Sequence, residues 1–183
     1  MSRPFVVVSG LPGSSKTTLG RELAVALSLP LLDKDDILEA LFESGDTGDA
    51  DWRRGLSRES DAILQSEAER SNGAVLISHW HLPGMAPDSG TPTGWIAALP
   101  GAVVHIHCQC PPEIAAQRFL SRKRHAGHLD ATRSREDTVA SLHELAGYPP
   151  AEIGLRIDVD TSPRPDAAAL AQTIRQMFQK AGN

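Results

Sequence analysis

Eight consecutive residues, Gly10-Leu11-Pro12-Gly13-Ser14-Ser15-Lys16-Thr17, have the types and order needed to hold a polyphosphate. They follow the spacing G-x-x-x-x-G-K-[ST] at every fixed position but one, Ser15 standing where the second glycine belongs. A tight loop of this kind turns successive backbone N–H groups inward. The positive end of the helix behind it faces the same point, so an anion is cradled with few side chains. In that geometry Lys16 bridges the β- and γ-phosphates of ATP and the Thr17 hydroxyl ligates Mg2+. Gly10, Pro12, Gly13, Ser14, Ser15, Lys16, Thr17 and Thr18 are therefore expected on the nucleotide. Ser15 adds a Cβ but keeps its N–H donor, so either its φ is negative or the loop is slightly reshaped.

Other chemistry-bearing residues gather at the ends of apolar runs. Asp33 and Asp35 lie two apart where the second run stops, and an extended backbone sends both carboxylates to one side. That side is the carboxyl edge of a sheet, where ligands of open α/β folds bind. The alternative for Asp35 or Asp36 is to cap the helix that follows. His79-Trp80-His81 follows the third apolar run at the same edge, so His79 and Trp80 are candidates for an acceptor pocket, ordinary loop packing being the alternative. Arg118 and Arg122 are one helical turn apart and are expected to face the same way. His125 and His128 flank Gly127 without the further ligands that zinc needs, which favours lid folding or substrate contact. His105 and His107 share one face of a buried strand and read as satisfied core residues. Cys108 and Cys110, the only cysteines, read as reduced structural residues.

The elements that must position these groups alternate. Strands are predicted over Pro4–Ser9, Leu29–Leu32, Ala74–Ser78, Ala102–His107 and Leu155–Asp160. Helices are predicted over Thr17–Leu29, Ile37–Phe42, Trp52–Arg70, Pro111–Arg124, from about Ser134 to Leu145, and over Pro165–Lys180, with a short one over Gly94–Leu99. Residues 83–93 are rich in proline and glycine and must be loop. Residues 125–133 break the periodicity. Strands alternating with helices mean an α/β fold around a parallel sheet.

At 183 residues, with 40% hydrophobic and 22% charged content, the chain is expected to form one domain over 1–183 with a full core. Its net charge of −5 argues against a general nucleic-acid binder. That charge is uneven: residues 33–69 hold twelve acids against Lys34, Arg53, Arg54 and Arg58, whereas residues 118–135 carry six basic residues against Asp130 alone. A basic segment in an acidic chain suggests a small anion as ligand. The N-terminus lacks a signal peptide's basic and apolar regions and no apolar run approaches a membrane span, so a cytoplasmic protein is expected.

Together, G-L-P-G-S-S-K-T-T, D-K-D-D and R-F-L-S-R-K-R-H-A-G-H-L-D make the chain resemble the P-loop small-molecule and nucleoside-monophosphate-kinase-like proteins over nearly its whole length. Shikimate kinase, gluconate kinase, chloramphenicol phosphotransferase and polynucleotide 5′-kinases are proteins of this kind. The resemblance implies a five-stranded parallel sheet with helices on both faces and a small lid at about residues 122–135. It implies transfer of the γ-phosphate of ATP, with Mg2+, to a hydroxyl of a small molecule such as a metabolite or an antibiotic. By the same resemblance Lys16, Asp35 and Arg122 are catalytic, Asp35 positioning the hydroxyl as base. Asp33 stands near magnesium, Arg118 on or near the adenine, and Arg122 and Arg124 at the transferred phosphate. Residues 160–163 form a wall of the adenine site. The chain departs from the family where many members carry an aspartate at the end of the third strand, offering Ser78-His79 instead. That departure and Ser15 suggest, as a rival, a nucleotide-binding module with little catalysis. A 5′-hydroxyl polynucleotide kinase is the other alternative, and the acidic stretch 33–69 counts against it.

Overall fold

The computed structural model describes residues 3–43, 48–122, 125–128 and 134–181. The order of elements is β1 (Arg3–Gly10), α1 (Lys16–Leu27), β2 (Leu31–Asp33), α2 (Lys34–Phe42), α3 (Ala50–Arg70), β3 (Ala74–Ile77), β4 (Gly101–Gln109), α4 (Pro112–Leu120), α5 (Arg135–Ala146), β5 (Leu155–Asp160) and α6 (Ala167–Ala181), with 3-10 turns at Ile96–Ala98 and Ala126–His128. The five strands form one sheet in the order β2-β3-β1-β4-β5, every pair parallel. The expected α/β architecture is the observed one.

β1 is apolar at every position from Phe5 to Val8 because it is covered on both faces. Val6 and Val8 pack against Leu19, Leu23 and Ala24 of α1 and Ala171 and Ile174 of α6. Phe5 and Val7 face the other way, onto Leu64 and Ala68 of α3 and the loop residues Trp80, Ile96 and Ile153. The chain leaves β1 toward β2 and leaves β4 toward β5, so the strand order reverses between β1 and β4, where such sheets bind ligands.

Element boundaries differ from expectation for local reasons. β2 begins at Leu31, because Pro30 has no N–H for the ladder and serves only as acceptor to Val75 N at 2.9 Å. α2 begins at Lys34, since Asp33 is its cap: Asp33 Oδ1 accepts from Asp35 N at 3.0 Å. α4 stops at Leu120 with Ser121 as C-cap, four residues before its expected end.

His105 is completely buried on β4, and Ser9 Oγ lies 2.7 Å from its Nε2. Burial, first, and the neighbouring His107 push its pKa down to about 4 from the ordinary 6.5. The folded state thus resists protonation that the unfolded chain accepts. The contribution of His105 to stability should be flat above about pH 6.5 and fall by about 3 kcal/mol as the pH drops from there toward 4. In urea titrations across that window, His105→Gln should lose less stability toward low pH than the wild type, the difference being the share of His105.

Candidate active site

The glycine-rich loop leaves β1 at Gly10 and enters α1 at Lys16. Ser14 N donates to Leu11 O at 3.0 Å, closing the turn. Gly13 has φ +83°, and a Cβ there would lie 2.0 Å from Ala115 O, so α4 packs onto loop backbone that only glycine allows. Ser14 Oγ is buried without a partner, as a donor meant for a ligand oxygen would be. Ser15 has φ +64° and ψ +16°, the left-handed conformation of the glycine it replaces. Neither a negative φ nor a reshaped loop is needed. Holding a serine there costs roughly 1–2 kcal/mol. Its Oγ is 3.2 Å from Arg118 Nη1, which donates to it. Ser15→Gly relieves the strain, loses that bond and adds unfolded-state entropy, so the net stability change should stay within about 1 kcal/mol by chemical denaturation.

From the loop a cleft of about 500 Å3 runs to the ends of β2 and β3. Lys16, Thr17, Asp33, Asp35, Arg53, His79 and Arg122 all line it. Lys16 Nζ donates to Leu11 O at 3.3 Å, and burial lowers its pKa against the opposing pull of Asp35 and Asp33. Asp33 is only 4% exposed, and burial followed by the charge of Asp35 raises its pKa to about 6. Its Oδ2 is buried without a hydrogen-bond partner. An orphaned carboxylate oxygen in the same cleft as the Thr17 hydroxyl is the hard-oxygen donor set that suits Mg2+. Asp35 is exposed to the cleft, and Asp33, not Asp35, supplies the helix cap. Asp36 lies outside, 3.2 Å from Arg21 on the surface.

Behind the carboxylates lies a network that sequence reasoning missed. Lys34 turns inward, its Nζ 2.6 Å from Asp61 Oδ1 and 3.1 Å from Ser57 Oγ of α3. Thr91 Oγ1 donates to the same Asp61 oxygen at 2.7 Å and lies 2.5 Å from Ser78 Oγ. Ser78, where the family often has an aspartate, is thus tied to a carboxylate through Thr91. Arg53 was missed as well, and its Nε is buried in the cleft wall without a partner. A lysine among acids and an arginine in a charged helix read as surface residues, and no local pattern marks them otherwise.

Arg118 and Arg122 do not face the same way, because Arg122 lies beyond the end of α4. Arg118 Nη1 and Nη2 donate to Thr161 O at 2.8 Å and Ser162 O at 2.6 Å. With Ser15, Thr18, Thr161, Pro163 and Pro165 it lines a pocket of about 150 Å3 beside the loop, at the wall expected after β5. Arg122 lines the cleft instead. Arg124 and residues 129–133 of the expected lid lie outside the described residues. His125–His128 rests on α2: Phe42 stacks between Trp52 and His125, each 5.3 Å away, and His128 Nε2 donates to Glu39 Oε1 at 2.8 Å. These histidines tie residues 125–128 to α2. Trp80 is 2% exposed and donates from Nε1 to Val8 O at 2.9 Å; it does not line the cleft but walls a neighbouring cavity beside His79.

A family model described as an AAA domain matches residues 5–146, from β1 to the end of α5. The chain is similar to the shikimate kinase of Corynebacterium glutamicum, 40% identical over 78 residues that make up 42% of this chain and 46% of that protein. It thus spans less than half the length of that relative. It is also similar to the cytidylate kinase of Pyrobaculum islandicum, 28% identical over 72% of this chain and 68% of that one. Among solved structures, a candidate kinase from Chloroflexus aurantiacus superposes with a TM-score of 0.73 at 25% identity, covering 95% of this chain and 98% of the other. The shikimate kinase of Acinetobacter baumannii in complex with shikimate shares the fold, with a TM-score of 0.61 at 22% identity over 97% of this chain and 94% of its own. With the loop, the strand order and a family match running from β1 to α5, the chain belongs to this AAA-domain family and carries the P-loop kinase fold.

Proposed function

We propose that the protein is an ATP-dependent kinase that moves the γ-phosphate to a hydroxyl of a small molecule bearing an anionic or carbonyl group. One observation carries this reading: a single cleft brings together the phosphate-loop Lys16, the carboxylate of Asp35 and two guanidinium groups, Arg53 and Arg122. A nucleotide module without an acceptor has no use for a carboxylate and an unpaired guanidinium edge facing its phosphate loop. A polynucleotide acceptor is disfavoured by the acids of residues 33–69. Among the described residues no helix is long and apolar enough to cross a membrane.

In this reading the acceptor hydroxyl sits at Asp35, whose carboxylate takes the proton as the oxygen bonds to the γ-phosphorus. The bond from that phosphorus to the ADP oxygen breaks in the same displacement. Lys16 and Arg122 hold the phosphoryl oxygens as their charge shifts. Arg53 offers its unpartnered Nε–H to an oxygen elsewhere on the acceptor. Arg118 and the turn after β5 hold the base of ATP. Thr17 and Asp33 are the residues that would hold Mg2+, which when bound neutralises phosphate charge.

Asp35→Asn keeps the shape and removes the base. With ATP, Mg2+ and a panel of hydroxylated carboxylates and phosphates, it should lower acceptor-dependent ADP formation by about a hundredfold or more while ATP affinity stays within about threefold. Unchanged turnover in Asp35→Asn would remove Asp35 from the chemistry. Tight ATP binding with no acceptor-dependent ADP from the wild type would leave only the binding module.

A further inference from the structure

Between the ends of β1, β3 and β4 and the last turn of α5 lies a second cavity of about 200 Å3. Its walls include Leu11, Trp80, Leu82, Leu145 and Pro150, and no carboxylate, ammonium or guanidinium group lines it among the described residues. A charged ligand would find no counter-ion there, so the occupant is uncharged. Polar edges are nevertheless present. His107 uses Nδ1 on Ser9 Oγ at 2.8 Å, and its Nε2 has no partner among the described residues. The ring of His79 likewise makes no hydrogen bond to any described residue, and burial followed by the charges of Lys16 and Lys34 keeps it neutral, with a pKa of about 4. Trp80 has already spent its donor on Val8 O. Two uncharged imidazole edges in an apolar hollow suit a ring or branched group with at most a weakly polar substituent. The volume matches, since a cavity of roughly 150 Å3 takes up benzene.

The cavity does not stand alone. His79 and Leu145 line both it and the cleft that holds Asp35. We propose that this cavity receives an uncharged ring or branched apolar group carried by the phosphate acceptor, with His79 as the partition between that group and the acceptor's hydroxyl end. The acceptor is then amphipathic: a hydroxyl at Asp35, an anionic or carbonyl oxygen at Arg53, and an apolar portion behind His79. The identity of the ligand rests on the kinase reading above, whereas the cavity itself does not.

The test uses the full chain and three probes: indole, which fits the cavity alone, and 3-phenyllactate against lactate, hydroxy acids with and without a ring. Indole should bind in ligand-observed NMR and be displaced by 3-phenyllactate but not by lactate at equal concentration. In calorimetry 3-phenyllactate should bind about 10- to 100-fold tighter than lactate. Ala146→Phe, at the exposed last residue of α5, should plug the mouth and bring that ratio to within about threefold with ATP affinity unchanged. Leu82→Trp should do the same from inside the cavity. The inference is overturned if indole fails to bind, if it stays bound at saturating 3-phenyllactate, if the ring adds no affinity, or if the ratio survives both filling variants. ADP formation is scored separately. No ADP from any hydroxylated compound, with the binding pattern intact, sinks the kinase reading and leaves the apolar cavity standing; turnover that is indifferent to the ring does the reverse.

Discussion

Lys16→Ala is expected to lower acceptor-dependent ADP formation by about a thousandfold, the largest loss of activity from any single side chain. The ammonium is enclosed at the mouth of the loop, with Leu11 O at 3.3 Å as its hydrogen-bond acceptor. Burial, the strongest influence on it, disfavours its charged form, and only Asp35 and Asp33 among its strongest influences offset that by charge from side chains of the cleft. A triphosphate brought against it gives the charge an anionic partner, so its interaction is realised with ligand bound. Two readouts follow. Steady-state turnover should collapse, while urea unfolding of the nucleotide-free variant should shift little or toward greater stability, because a desolvated charge has been removed. Loss of activity together with loss of fold would instead make Lys16 a structural residue.

Asp61→Ala is expected to have the largest effect on stability, lowering it by about 3–5 kcal/mol. The carboxylate is 19% exposed and bonded to Lys34 Nζ at 2.6 Å and Thr91 Oγ1 at 2.7 Å. Its removal strands an ammonium that is itself only 11% exposed, and the cost of that uncompensated charge dominates. Against a domain stability of roughly 5–15 kcal/mol, the urea midpoint should drop steeply. Replacing both partners, Lys34→Met with Asp61→Leu, should recover most of the loss, since the stranded charge goes with its partner. If the double variant is as unstable as Asp61→Ala alone, the pair is not the cause. Because Lys34 is flanked by Asp33 and Asp35, the same variants should raise KM for the acceptor before they alter ATP binding.

How far the sequence carries is visible in these two residues. Lys16 belongs to a contiguous motif whose neighbours in sequence are its neighbours in space, and the alternation of apolar runs with amphipathic segments gives the parallel sheet by the same local logic. Asp33 was legible because a strand end fixes where its carboxylate goes, whereas Asp35 reaches the same cleft from the first turn of α2 and not by the strand alternation expected of it. Lys34, Asp61, Thr91 and Ser78 are joined only by the fold, from four separate segments, and each alone is an unremarkable polar residue. Arg53 is hidden for the same reason. The orientation of Trp80 was not legible, because a residue next to a strand end can turn inward as readily as outward. Which way it turns is decided by the hole it fills behind Val8. The shortened α4 shows a smaller version of this: Ser121 ends the helix one residue before Arg122, and an expected helical pair becomes two residues serving different pockets.

The buried, half-bonded carboxylate of Asp33 has one more consequence, in calorimetric terms. Near pH 6 about half of the nucleotide-free molecules carry a proton on it. A divalent cation held there requires the carboxylate, so loading with Mg–ATP below neutral pH should expel a fraction of a proton into solution. The heat of binding at pH 6 should then change with the ionisation enthalpy of the buffer, and at pH 8 that dependence should shrink. Asp33→Asn, which keeps the helix cap, should remove it.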